Sequence, residues 1–521
     1  MKKILVLTLV VLLGLTGLVQ AANNADVLQD GNFNKAIVTQ EGSNQVALVT
    51  QTGDENDADV FQSAKDNSAT VSQTGNENEA DVTQTDRDNE SALSQTGSEN
   101  NASVIQSGRG NSSALSQTGN ENNASVLQSG RGNSSALSQF GDDNAADTFQ
   151  TGHDNTASVT QNGTTNEATT VQDGDDVRAT VGQAGEGNKT DILQTGRADR
   201  ATISQTGDEN IASVTQTGFG LFSSPNTSSI AQTGDRNAAS ILQKTYGLLT
   251  GLNKATITQL GTDNNAEIQQ TGLSALLGAN SAVVRQDGVN LRALVSQDGL
   301  LNSTDVEQEG KGNNTEVTQN GEVNSAVVTQ KGTQYPALVD IFQNGIGNIA
   351  KVEQRNEGGE RESSILQVGS GNYASVKQGQ GHSYATIQQN GTLNLAFQDH
   401  HGKNLRNNSE LEIQQSGSVN RAEQKQISGG GLKAYIYQDG NYNRAYQDQE
   451  NASQNFGVWN WATIDQNGNW NYAKIAQTGQ VVSALVTQNG HYNEGTITQA
   501  GANSIGTIDQ NGNNNNATIN Q

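Results

Sequence analysis

Residues 29–40 read Gln29-Asp30-Gly31-Asn32-Phe33-Asn34-Lys35-Ala36-Ile37-Val38-Thr39-Gln40, and the same frame restarts at Gln40. Glutamine then returns every eleven residues, through Gln51, Gln62 and Gln73 to Gln194, Gln205 and Gln216, without a slipped step. After most of these glutamines stand Gly at plus two, Asn at plus five, Ala or Ser at plus seven, and Val, Ile or Leu at plus nine. A fixed period this short marks a chain of stacked modules, whose function lies in the surfaces that the stack presents.

Positions plus five, seven, nine and eleven alternate with variable polar residues, which is the period of a half-buried strand. Asn, Ala, Val and Gln therefore face inward. The stretch Gln51-Thr52-Gly53-Asp54-Glu55-Asn56 has turn chemistry, since Gly takes positive φ freely and Asn or Asp bonds nearby backbone. Ordering one eleven-residue unit costs on the order of 10 to 20 kcal/mol, while burying its Val and Ala returns about 2 to 4, so no unit stands alone. Parallel pairing with an equivalent strand about 4.8 Å away resolves the deficit and aligns the inward amides into ladders.

The outward residue before each glutamine alternates in character: Phe61, Thr83, Ile105, Leu127 and Phe149 in one set, Ser72, Ser94, Ser116 and Ser138 in the other. The structural repeat is therefore twenty-two residues. These patterns predict an all-β fold, a β-solenoid of about 22-residue strand-turn-strand-turn rungs forming two parallel sheets, cross-β-like, with unlike outer faces.

Residues 1–21 have a basic start at Lys2 and Lys3, an apolar run from Ile4 to Val19 and a small-residue exit, which reads as a secretory signal peptide. Residues 22–521 read as a single solenoid, with insertion-bearing rungs at 217–286 and an irregular segment at 399–465. There is no cysteine, so no disulfide framework or thiolate metal site holds the chain. Only 32% of residues are hydrophobic and the net charge is −25, which would suggest disorder were it not for the periodicity. The acidity and the lack of a basic cluster argue against nucleic acid as a partner.

The two turns of a rung differ. One carries Lys65, Arg87, Arg109, Arg131, His153 and Arg197 and the other Glu55, Glu77, Glu99, Glu121, Asp143 and Glu209, so opposite edges are expected to bear opposite charge. After Gln216, Gln243 and Gln270 the spacing grows, and three successive insertions present Leu221 and Phe222, Leu248 and Leu249, and Leu276 and Leu277. These are candidate contact sites or a local apolar cap. Gln398, Gln424 and Gln447 stand where Val is expected, and the register is lost between Gln449 and Gln466. Trp470 and Tyr492 share an offset one rung apart and are expected to stack on one edge, as a second candidate contact site.

The frame Gln-x-Gly-x-x-Asn-x-Ala-x-Val-x-Gln, clear in Gln73 to Gln84, Gln205 to Gln216 and Gln466 to Gln477, resembles the curlin repeat of curli-fibre subunits. The resemblance implies a secreted, extracellular subunit of a bacterial amyloid-type fibre at the cell surface. It further implies self-association, a nucleating partner, export through an outer-membrane apparatus, and a role in adhesion and biofilm matrix. The residues it assigns to polymerisation are the inward amides Gln73, Asn78, Gln84, Gln205, Asn210, Gln216, Gln466, Asn471 and Gln477.

No catalytic, cofactor or metal site is read in the sequence, because the repeated carboxylates of a turn edge are a solvated surface and the histidines lack ligand spacing. Three other readings differ from a fibre subunit. A monomeric solenoid adhesin binding surfaces or matrix polymers would share the fold. An ice-binding or surface-binding solenoid would use hydroxyl pairs such as Thr70 with Ser72 and Thr202 with Ser204. A polysaccharide-active β-helix enzyme would need long irregular loops, whereas most loops here are short. Growth at open end rungs is expected from the absence of an evident cap at Asn23 or Gln521.

Overall fold

The computed structural model describes residues 9–13, 22–219, 225–246, 253–273, 279–332, 336–356, 359–379, 381–401, 409–427, 431–450 and 459–521. Among these residues every regular element is a strand. The chain is a β-solenoid of about 21 turns, about 22 residues to a turn, whose strands form two parallel sheets.

One turn illustrates how sequence becomes structure. Asp57–Lys65 lies in the first sheet, sheet A, and Ser68–Asn76 in the second, sheet B; Glu79–Gln84 then returns to sheet A. In sheet A, Val60 pairs with Val82 and Gln62 with Gln84; in sheet B, Val71 pairs with Leu93 and Gln73 with Gln95. Like residue types thus stack at these steps, and the inward Ala69, Val71, Ala80 and Val82 are fully buried between the sheets. The alternation of the sequence has become the alternation of burial.

The turns admit only particular residues. Gly75, in the turn from sheet B to sheet A, has φ of 122°, and a Cβ added there would lie 1.8 Å from the carbonyl oxygen of Gly97 on the next rung. Both the backbone conformation and the close approach of successive turns exclude a side chain.

The chain divides into two compact units: residues 1–256 with 274–277, and residues 257–273 with 278–521. In the first, the pairing is close to uniform, and glutamine partners are twenty-two residues apart until Gln205 and Gln216, whose partners Gln232 and Gln243 stand 27 residues on. The segment Leu9–Leu13, inside the stretch read as a secretory signal, pairs in parallel with Ala36–Gln40 of sheet A, with Leu13 opposite Gln40. The insertions follow Ile211–Phe219, Ala238–Tyr246 and Asn265–Leu273, and Leu221, Phe222, Leu248, Leu249, Leu276 and Leu277 lie outside the described residues.

In the second unit the spacing of partners is irregular but the register is kept. Gln319 meets Gln343 24 residues on, Gln389 meets Gln415 26 on, and Gln438 meets Gln466 28 on. The register that the sequence loses after Gln449 is also preserved, because Gln449 meets Gln477, 28 residues later. The inward columns therefore continue across these longer steps.

Candidate functional site in the amide ladders

Each inward glutamine ties its own rung to the next and one sheet to the other. Gln73 Nε2 donates to Gln95 Oε1 at 2.9 Å, and also to the Asp57 carbonyl at 2.8 Å and the Asn78 carbonyl at 2.9 Å across the core. Gln84 does the same from sheet A, to Gln106 Oε1 and the Ser68 carbonyl. Gln205 reaches Gln232 and Gln216 reaches Gln243, both at 2.9 Å, so the ladder bridges a 27-residue step without weakening. In the second unit Gln466 donates to Gln488 and Gln477 to Gln499.

The asparagines ladder along the turns. Asn56 Oδ1 accepts from both the backbone N–H and Nδ2 of Asn78, and Asn78 Nδ2 also donates to the Gly97 carbonyl at 2.9 Å. Asn210 repeats this with Asn188 and the Gly234 carbonyl. Asn471 donates its backbone N–H to Asn443 Oδ1 and its Nδ2 to the Gly490 carbonyl. All of these amides are buried, and each is hydrogen-bonded, which is what makes burial of so polar a core tolerable. The glutamines at Val positions form a further ladder, Gln398 to Gln424 to Gln447, with steps of 3.0 Å.

The columns are interrupted at a few buried places. Asp199 occupies an asparagine position, where its Oδ1 accepts the Asn226 backbone N–H at 2.9 Å. Burial pushes its carboxyl up to about 6, against the opposing pull of the Asn226 hydrogen bonds. Arg361 stands in an asparagine column of the second unit, opposite Ala337 and Ser383, and is 2% exposed. His400 replaces a glutamine, pairing in register with Gln378 and Gln426. Burial, and then the charges of Arg361 and His401, depress its imidazole to about 4. The adjacent His401 is exposed.

The edges are more mixed than the sequence suggested. Glu55, Glu77, Glu99, Glu121 and Asp143 do form one column, each at a φ between 55° and 59°. There the Asp143 and Glu99 charges raise the Glu121 carboxyl above its ordinary value. The opposite edge is not simply basic. The residue after each cation is often acidic, and Lys65 pairs with Asp66 and Arg109 with Asp88, both at 3.2 Å. Short turns place i and i+1 at the same tip, which the eleven-residue offsets alone do not reveal.

Trp470 and Tyr492 are stacked, with ring centroids 6.2 Å apart and planes 9° from parallel, and Tyr442 extends the column at 4.2 Å and 5°. Lys433 Nζ lies 5.4 Å from the Trp461 ring.

No curated protein matches the chain. The family described as Curlin associated repeat does, at residues 21–53, 53–85, 87–119, 119–152, 152–185, 185–218, 278–310, 302–332 and 456–479. These segments cover more than half of the sequence and contain Gln73, Asn78, Gln84, Gln205, Asn210 and Gln216 of the first unit and Gln466, Asn471 and Gln477 of the second, and the chain belongs to the curlin associated repeat family.

Proposed function

We propose that this chain is a secreted structural subunit of extracellular curli-like amyloid fibres, serving cell adhesion and the biofilm matrix rather than catalysis. One observation carries the reading: every rung is the binding site for the next, in register, through ladders whose donors and acceptors point along the stacking direction. Any rung left uncovered offers the same amides and the same unpaired backbone groups to another copy. Within this chain, Asn516–Asn520 pairs with Glu494–Ala502, and its residues alternate between half-buried and exposed rather than buried and exposed.

Export fits the same reading, through the secretory signal expected at residues 1–21. A nucleating subunit and an outer-membrane export apparatus are the partners this reading calls for.

The outer face of sheet B favours a second reading. Thr70, Ser72, Ala92, Ser94, Ala114 and Ser116 border a shallow depression on a face of small side chains. Such a surface suits a monomeric surface-binding or ice-binding solenoid. Incubating residues 22–521 with thioflavin T, followed by electron microscopy, distinguishes the two. Fibres with cross-β diffraction are expected. Persistent single particles would remove the fibre reading, and thermal hysteresis in those particles would replace it.

A further inference from the structure

In the second unit, the turn leading from sheet A to sheet B carries a column of residues at a left-handed backbone position. Each donates its backbone N–H to the rung before: Val323 to the Leu300 carbonyl, Leu393 to Ser370, Val419 to Thr392 and Trp470 to Asn441. In the first unit the same position holds Asn44, Asp66, Asp88, Gly110 and Gly132, residue types that accept positive φ. In the second unit it holds Leu301 and Val323, then Gly347 and Gly371, then Leu393, Val419, Tyr442, Trp470 and Tyr492, the side-chain-bearing members all with φ between 56° and 62°. Their exposure runs from 37% to 58%.

The aromatic tips offset part of the cost of this arrangement by stacking on one another, whereas the leucine and valine tips are left-handed and exposed. A β-branched valine at such a φ is strained, and an exposed apolar tip gains little by burial. The tips also lose their charge. From Leu300 to Tyr492 the paired tip residues include one carboxylate, Glu322, and one imidazole, His491, whereas Lys65, Asp66, Arg87, Asp88 and Arg109 crowd the equivalent tips of the first unit.

We propose that this apolar edge of the second unit is an interface with the same edge of a second copy of the chain. The occupant is identified by shape, area and charge. The line is narrow and, apart from Gly347 and Gly371, repeats once per rung, without a break from Leu393 to Tyr492, so an object that meets all of it must repeat at the same step, and an identical edge does. With Ile346, these side chains offer roughly 800 Å² of apolar surface, about what one partner contributes to a standard interface. In a chain with net charge −25, this edge is where two copies approach with little like-charge repulsion. Stacking sugar rings are a poorer fit, because the faces of Tyr442, Trp470 and Tyr492 are turned toward one another along the column.

The pairing is independent of growth by stacking, and the test separates the two. The full chain is compared with a variant carrying Leu393→Asn, Val419→Asn, Tyr442→Asn and Trp470→Asn. Asparagine suits the left-handed turn, so folding is spared. Soluble protein is weighed by sedimentation equilibrium, and any fibres by mass per length in scanning transmission microscopy. The expected result is twice the chain mass, or a paired filament, for the natural sequence, falling twofold in the variant with an unchanged or raised melting temperature. Single copies or single filaments from the natural sequence would overturn the proposal, as would a variant that still pairs. A variant that melts well below the natural chain would make the column structural instead. Variant-sensitive binding of an unpaired natural chain to neutral phosphatidylcholine vesicles or to an insoluble glucan would reassign the edge to lipid or to sugar.

Discussion

Replacing Asp199 with asparagine should stabilise the first unit at neutral pH. Beyond Val177 on the rung directly before it, the column holds asparagines whose Nδ2 donates to two carbonyls: Asn155 gives to Thr151 and to Gly174, each at 2.8 Å. Asp199 has no such donor. Its Oδ2 is buried without a hydrogen-bond partner and faces the Gly196 and Gly218 backbone. The carboxyl is therefore held up to about 6, from an ordinary value of 3.8. Because the folded chain holds this proton more tightly than the unfolded one, stability is greatest below pH 3.8, falls as pH rises towards 6 and stays reduced above it. A shift of about two pH units corresponds to about 3 kcal/mol at pH 7. Asp199→Asn removes the titration and restores the missing donor. The expected gain is about 2 to 3 kcal/mol, or roughly a hundredfold slower amide exchange in Arg178–Glu186 and Arg200–Thr206 at pH 7. Almost no change is expected at pH 4. Exchange that is unaltered at pH 7, or a variant that keeps the natural dependence on pH, would refute the assignment of strain to this carboxyl.

His400 gives the opposite sign in the second unit. Its folded value of about 4 lies below the ordinary 6.5, so the unfolded chain takes the proton first; stability is full above pH 6.5 and is lost as pH falls towards 4, by roughly 3 kcal/mol. His400→Gln should abolish that loss in urea melts recorded from pH 7 to 4, by continuing the Gln378 and Gln426 column. Gln73→Ala removes the donor to Gln95, Asp57 and Asn78 and leaves buried acceptors unpaired, which should cost about 3 kcal/mol by hydrogen exchange in Ser68–Asn76. Gly97→Ala would place a Cβ 1.9 Å from the Gly119 carbonyl oxygen at a φ of 124°, and should cost at least about 3 kcal/mol and break protection of the adjoining turns.

The periodic part of the fold was legible because its cause is local. An inward Gln, Asn, Ala or Val at fixed offsets names both the strand and its face, and the alternation of Phe61 and Thr83 with Ser72 and Ser94 was enough to separate the two sheets. Gln398, Gln424 and Gln447 could be placed for the same reason. What escaped detection depends on register across variable turns. Leu393, Val419 and Tyr442 fall on one column only after steps of 26 and 23 residues have been aligned, as their neighbours Gln389, Gln415 and Gln438 show. The eleven-residue count linked Trp470 to Tyr492 and stopped there. Asp199 and Arg361 look like ordinary surface charges in a sequence with 54 acidic and 29 basic residues; burial comes from the column they occupy, not from their type.

The two kinds of amide run in opposite senses. Gln73 gives its proton forward to Gln95, whereas Asn78 gives its proton back to Asn56, and Gln499 with Gln521 and Asn515 with Asn493 repeat the opposition far along the chain. The opposition labels direction. One face of any rung offers a glutamine oxygen beside an asparagine N–H, and the other offers a glutamine N–H beside an asparagine oxygen. Two faces of the same kind cannot satisfy one another in register, so subunits joined through these amides must all point the same way, and an assembly made from them has a head and a tail.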